Sequence, residues 1–268
     1  MALSKPLKLL DLANEILTEI ASHVENKNQT RLMQTCHILH SITARMLYRD
    51  LHPSIDQTRS LCLTLLSGSP TRERPYAHHV RSFTFEAINA FDIVFKYRLV
   101  VESLVAMINL RSLTLLVNGD WGDDIINPLK TSRIIRHRML TKPIDAFTFD
   151  PHPRWSNNAL PFLENLSFCG DIRIAGIAQH RRLRSLIITV VLTSDEVREL
   201  ASMVTLDSKP NTSLKTLQMV TEAESAADYL SHLQLLACTF PKLTTLSYGS
   251  PNLNALVCDD PYGIPSYS

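Results

Sequence analysis

The chain has 268 residues, 45% of them hydrophobic and 20% charged, with a formal net charge of +1. This is ordinary globular composition, enough for one large domain or two unequal ones. So small a net charge excludes the strong field that would steer a protein to nucleic acid or to an anionic membrane. The basic residues form small clusters instead, such as Arg133, Arg136 and Arg138 or Arg181, Arg182 and Arg184. These read first as solvated faces and only second as contact surface.

The five cysteines, Cys36, Cys62, Cys169, Cys238 and Cys258, are odd in number and none is paired at short spacing. That argues against a disulfide framework or a zinc ribbon and fits a reducing compartment. The first ten residues lack the long apolar run of a secretory signal. The longest apolar cluster, Leu186 to Leu192, is far shorter than a bilayer span and is broken by Thr189. The expectation is a soluble protein of the cytoplasm, the nucleus or both, with neither nucleic acid nor membrane as a partner.

In chain order, Leu12, Ile16, Ile20 and Val24 recur every four residues beside a second row of Leu9, Ala13 and Leu17. Together they predict an amphipathic helix with a wide apolar stripe. Asp11, Asn14 and Glu15 supply acceptors in its first turn. A polar break over Glu25–Thr30 precedes a second helical pattern through Leu32, Met33, Cys36, Leu39, Ile42, Met46 and Leu47, and Pro53 closes the unit. Two or three short helices in so few residues cannot bury enough surface to be comfortably stable alone. Either the next domain or another protein covers the remaining apolar positions.

The segments LANEILTEIASHV and TRLMQTCHILHSITARMLYRDL together resemble an F-box. Leu12, Glu15, Ile16, Leu17, Leu32, Cys36, Leu47 and Tyr48 stand at positions matching the family pattern, while Ala13 replaces the usual Pro and Thr35 the usual Val. The resemblance covers about residues 8 to 52 and implies docking on the Skp adaptor subunit of a cullin-based ubiquitin ligase. On that reading Leu12, Ile16, Leu17, Ile20 and Leu32 include the residues that enter the adaptor. Each of them also reads, residue by residue, as core of the helical unit itself.

Residues 53 to 79 form a junction, with a helix over Gln57–Leu66 that caps the first repeat, then a loop. From residue 80 the chain repeats an apolar-x-x-apolar-x-apolar template. It fits at Val80–Phe85, Leu110–Leu115, Ile144–Phe149, Leu163–Phe168, Leu183–Ile188, Leu214–Met219 and Leu243–Tyr248. Helical patterns over Ala90–Asn109, Thr193–Leu206 and Glu224–Phe240 fill the longer intervals, and Thr193 and Glu196 stand at capping-box spacing. The shorter intervals leave room for a tight turn or brief helix. The pattern resembles a leucine-rich repeat. The expected fold class is therefore α/β: a small α-helical unit over residues 1–52, then an irregular leucine-rich-repeat-like parallel β/α solenoid over 80–258 and a tail over 259–268.

In each strand the second and third apolar residues of the template should point inward. One outward row is then Thr84, Thr114, Thr148, Ser167, Ile187, Gln218 and Ser247, and its neighbour is Ser82, Ser112, Ala146, Asn165, Ser185, Thr216 and Thr245. Both are mostly small and polar. They read as exposed strand positions or as a concave face that holds a partner. Leu253–Cys258 echoes the template and offers an end to the last repeat.

Chemical motifs are scarce. His37 and His40 have one metal-compatible spacing without further ligands, and His78-His79 is a loop pair. The GDWGDD run, Gly119–Asp124, reads as a solvated loop with too few ordered oxygens for calcium, or second as a partner-contacting loop with Trp121 exposed, and HPRWSNN, His152–Asn158, as a loop whose Trp is tucked under the rim or, second, anchors an interaction. No phosphate loop, nucleophile elbow or metalloprotease motif occurs. The expectation is no enzyme activity, cofactor or metal. The chain reads as a substrate receptor joining an unknown target to the Skp adaptor and its cullin ligase; the alternative is a repeat scaffold with a helical cap and no ligase role.

Overall fold

The computed structural model describes residues 9, 12–67, 75–87, 94–117, 122–132, 134, 159–178, 181–204, 211–223 and 225–249. Three short helices come first: α1 (Asn14–Ser22), α2 (Asn26–Met33) and α3 (His37–Leu47). The expected polar break over 25–30 is mostly helical, because its one inward polar group is satisfied. Gln29 is buried and its Nε2 donates to the carbonyls of Ala21 at 3.1 Å and Val24 at 2.8 Å. It thereby closes the C-terminal end of α1, where carbonyls lack helical partners. Leu17, Ala21, Leu39 and Ile42 form a small separate core, with Leu12, Leu32, Cys36 and Met46 packed around it.

The strands are β1 (Asp50–Leu51), β2 (Ser82–Ala87), β3 (Ser112–Val117), β4 (Asn165–Cys169), β5 (Ser185–Leu192), β6 (Thr216–Thr221) and β7 (Thr245–Gly249). They form one parallel sheet whose spatial order is the order of the sequence. The chain is therefore α/β. Its helical crossovers among the described residues are α4 (Ile55–Ser67), α5 (Val94–Ala106), α6 (Gly122–Thr131), α7 (Ser194–Val204) and α8 (Ala226–Thr239), and a 3₁₀ segment over Ile172–Ala178 fills one short interval. Thr193 and Glu196 form the reciprocal cap of α7: the Thr193 N–H donates to Glu196 Oε2 at 2.8 Å, and the Glu196 N–H to Thr193 Oγ1 at 3.3 Å.

The inward residues of β2 to β6 are those the template names. Phe83, Phe85, Leu113, Leu115, Leu166, Phe168, Leu186, Ile188, Leu217 and Met219 are buried against α5, α6, α7 and the 3₁₀ segment in one continuous core. The outward residues of the opposite face are half-buried or exposed. The last strand differs. Leu246 pairs with Leu217 in the inward register, yet it is 40% exposed, because no later strand among the described residues covers it. The proposed closing segment Leu253–Cys258 lies outside the described residues.

Two expectations need correction. Residues 144–149 lie outside the described residues, but β3 pairs directly with β4 through Ser112↔Asn165 and Leu113↔Leu166, so no strand stands between them. The template match at Ile144–Phe149 therefore supplies no strand between β3 and β4. The run Gly119–Asp124 is not wholly a loop, since α6 begins at Gly122 with Asp123 and Asp124 in its first turn, where carboxylates are favoured. Asp123 also meets Arg173 at 2.8 Å. Pro128 inside the helix hid it, because proline argues against a helix interior by pattern.

The helical head and the sheet are continuous. β1 pairs with β2 through Asp50↔Ser82 and Leu51↔Phe83, and Ala44 and Leu51 belong to the main core. Tyr48 stacks on Tyr76 with ring centroids 4.4 Å apart. His40 Nδ1 lies 3.1 Å from the Met33 carbonyl, which can only accept, so that nitrogen carries the proton. His40 Nε2 then accepts from the Tyr76 hydroxyl at 3.2 Å.

Candidate interaction surfaces

The five residues expected at the adaptor contact do not share one environment. Ile16 and Ile20, one turn apart on α1, are 49% and 43% exposed. Leu17, between them in sequence, is 1% exposed and sits in the head's own core. Its place in that contact is therefore corrected: the contacts of α1 with α3 already bury it. Leu12 and Leu32 are half-buried at the rim of the same core. Leu9 and Ile38 are also exposed.

The outward row on the sheet is in register across six strands, through Thr84↔Thr114, Thr114↔Ser167, Ser167↔Ile187, Ile187↔Gln218 and Gln218↔Ser247. Thr148 lies outside the described residues. The neighbouring row runs from Asp50 through Ser82, Ser112, Asn165, Ser185 and Thr216 to Thr245. Apart from Asp50 at one end and Ile187, these rows offer hydroxyls and amides with no aromatic anchor, so this face specifies no single target chemistry.

A third row precedes these two, and sequence pattern alone did not single it out. The N–H of Arg81 donates to the Arg49 carbonyl at 2.7 Å, that of Arg111 to Arg81 at 2.8 Å, and that of Glu164 to Arg111 at 2.8 Å. Arg184 and Lys215 continue the row by donating to Glu164 at 2.7 Å and to Arg184 at 2.9 Å. Its signal was present at the second position of each template. Arg49 joins because Tyr48 and Leu51 repeat the spacing of Val80 and Phe83. Glu164 lies 3.6 Å from Arg111 and 3.7 Å from Arg184.

Where this row meets the head, α1, α3 and the start of the sheet enclose a cleft of about 1050 Å³. Arg45, Arg49, Arg81 and Arg111 line it together with His78 and His79, and no carboxylate, Phe, Tyr or Trp does so among the described residues. The other basic cluster divides. Arg182 and Arg184 are exposed, whereas Arg181 reaches inward and donates to the carbonyls of Ala159 at 2.8 Å and Ile134 at 2.9 Å. Arg181 is thus a clamp on the chain, not a solvated charge.

Among the described residues no three His, Cys, Asp or Glu side chains gather to hold a metal ion, and no helix is long and apolar enough to cross a membrane. His40 is engaged with Met33 and Tyr76 as described. Comparison with known protein families and with characterised proteins finds no match.

Proposed function

We propose that the chain is a substrate-receptor subunit of a Skp–cullin–F-box ubiquitin ligase. Its helical head would act as an F-box that docks on the Skp adaptor, and its sheet as a leucine-rich-repeat-like platform for a target protein. The observation that carries this reading is the pair Ile16 and Ile20, both large, apolar and nearly half exposed, while Leu17 and Ala21 of the same helix face its own core. Burying such a side chain from full exposure is worth roughly 1.5–3 kcal/mol; with only about half of each still exposed, the two supply roughly 1.5–3 kcal/mol together before association costs. A micromolar complex needs about 8 kcal/mol net. Leu9, Leu12 and Leu32 would therefore have to add apolar area at the same contact.

The test is co-purification with a Skp adaptor, using the intact chain and Ile16→Asp/Ile20→Asp. Both isoleucines are surface residues, so the double variant should keep its melting temperature and lose capture. Absence of capture by the unaltered chain would sink the ligase reading. A second reading, a scaffold whose head is a cap, draws support from β1 pairing with β2 and from Ala44 and Leu51 lying in the main core. It predicts that the double variant changes no adaptor interaction, because none exists.

A further inference from the structure

We propose that the cleft between the helical head and the N-terminal edge of the sheet binds an anionic peptide segment, whose carboxylate or phosphate groups are taken by Arg45, Arg49, Arg81 and Arg111. A chain of net charge +1 places these four guanidiniums around one cleft without a lining carboxylate among the described residues. Each guanidinium offers five N–H donors in a planar fork that suits carboxylate or phosphate.

Few of those donors are committed. Arg81 gives one N–H to the Asn109 carbonyl at 3.1 Å, and Asn109 donates to the His78 carbonyl at 2.8 Å. These bonds fix the direction of the Arg81 fork and leave its other donors for a ligand. Arg45 Nε donates to the Ser41 carbonyl at 3.2 Å. Arg49 and Arg111 meet Asp50 at 3.7 Å and Glu164 at 3.6 Å, long contacts in which both guanidiniums and the Asp50 carboxylate are largely exposed and Glu164 is partly so. Such pairs are worth little and exchange readily for a better anion.

The shape favours an extended ligand. Arg49, Arg81 and Arg111 occupy equivalent places one residue before three adjacent strands, so their backbones step across the edge about 4.8 Å at a time. A peptide laid along this edge presents alternate side chains about 6.6 Å apart, within reach of long flexible arginines. Nucleic acid fits less well, because among the described residues no Phe, Tyr or Trp lines the cleft as a broad platform for bases and the whole-chain field is weak.

The cleft is separate from the exposed isoleucines. At about 100° per residue, Thr18, which lines the cleft, lies on the opposite flank of α1's buried seam from Ile16 and Ile20. The proposal therefore stands apart from adaptor docking.

The test measures binding of short fluorescent peptides to the intact chain: one with alternating phosphoserines, one with glutamates and one with serines at those positions, beside a single-stranded oligonucleotide. An anionic peptide should bind, weaken with added salt and exceed the serine peptide by at least about tenfold. The tighter of the two anionic peptides identifies phosphate or carboxylate as the natural group. Arg45→Glu/Arg111→Glu should remove that preference, with Arg45→Gln/Arg111→Gln as the variant used if charge reversal prevents folding. Arg198→Glu, a charge reversal on α7, and Ile16→Asp/Ile20→Asp should leave affinity unchanged. Equal binding of all three peptides, tighter binding of the oligonucleotide, or equal loss with Arg198→Glu would overturn the proposal.

Discussion

Gly170 follows β4 with φ of 110°, a conformation that side chains rarely adopt, and a Cβ there would lie 2.7 Å from the Val117 carbonyl oxygen. Gly170→Ala should therefore destabilise the chain by about 1–3 kcal/mol in urea unfolding, although it would stiffen the unfolded state. An unchanged midpoint would show that the backbone there relaxes freely. Leu17 and Ile16 make a second contrast. Leu17→Ala should cost about 2–5 kcal/mol, because it empties a core with few other members. Ile16→Ala should change stability by no more than about 0.5 kcal/mol. The two residues were indistinguishable in sequence, since both lie on one broad apolar stripe. Only the position of α3, with Leu39 and Ile42, decides which flank of α1 is covered.

At the scale of elements, α8 and β7 are joined by polar groups as well as apolar ones. His232 on α8 is buried, and its Nδ1 lies 2.8 Å from the Tyr248 hydroxyl on β7. Burial drives its pKa below the ordinary 6.5, with Arg198 adding to the depression and Asp228 opposing it. Burial also pushes the Tyr248 hydroxyl up to about 12, so it remains protonated and able to donate. Because folded His232 binds a proton less readily than unfolded His232, protonation favours unfolding. The full contribution is present above pH 6.5 and is lost as the pH falls through the lower folded value. The melting temperature should drop between neutral and mildly acidic pH, and His232→Gln should flatten that drop; equal slopes in both proteins would count against this account. The strands were largely legible, because a residue pattern of period two with one buried face leaves a direct trace in sequence. α6 was not, because Pro128 and the acidic run before it imitate a loop.

For the whole molecule, the head's small core and its shared strand make independent folding unfavourable. Intact protein should unfold in one cooperative transition by both far-ultraviolet dichroism and Tyr fluorescence. A fragment beginning at residue 53 would lose β1, Ala44, Leu51 and the Tyr48 ring that covers Tyr76. It should melt lower or aggregate. Two separated transitions in the intact chain would instead assign head and sheet separate stabilities. Helical periodicity and Pro53 place a boundary after residue 52, but they do not show that Asp50 and Leu51 pair with the sheet. The resemblance of the head to an F-box lay in its residue pattern, whereas the arginine row became visible only once parallel register brought distant residues side by side.

The strand order has a consequence for biosynthesis. Each described strand finds its neighbour in the one made just before it, so none among the described residues waits for a distant, later partner. The chain can condense from its leading end while still leaving the ribosome, with each new turn laid on a finished surface. The hydrogen-bonding edge left bare at any moment is then a single strand wide, which limits the surface through which nascent copies could adhere.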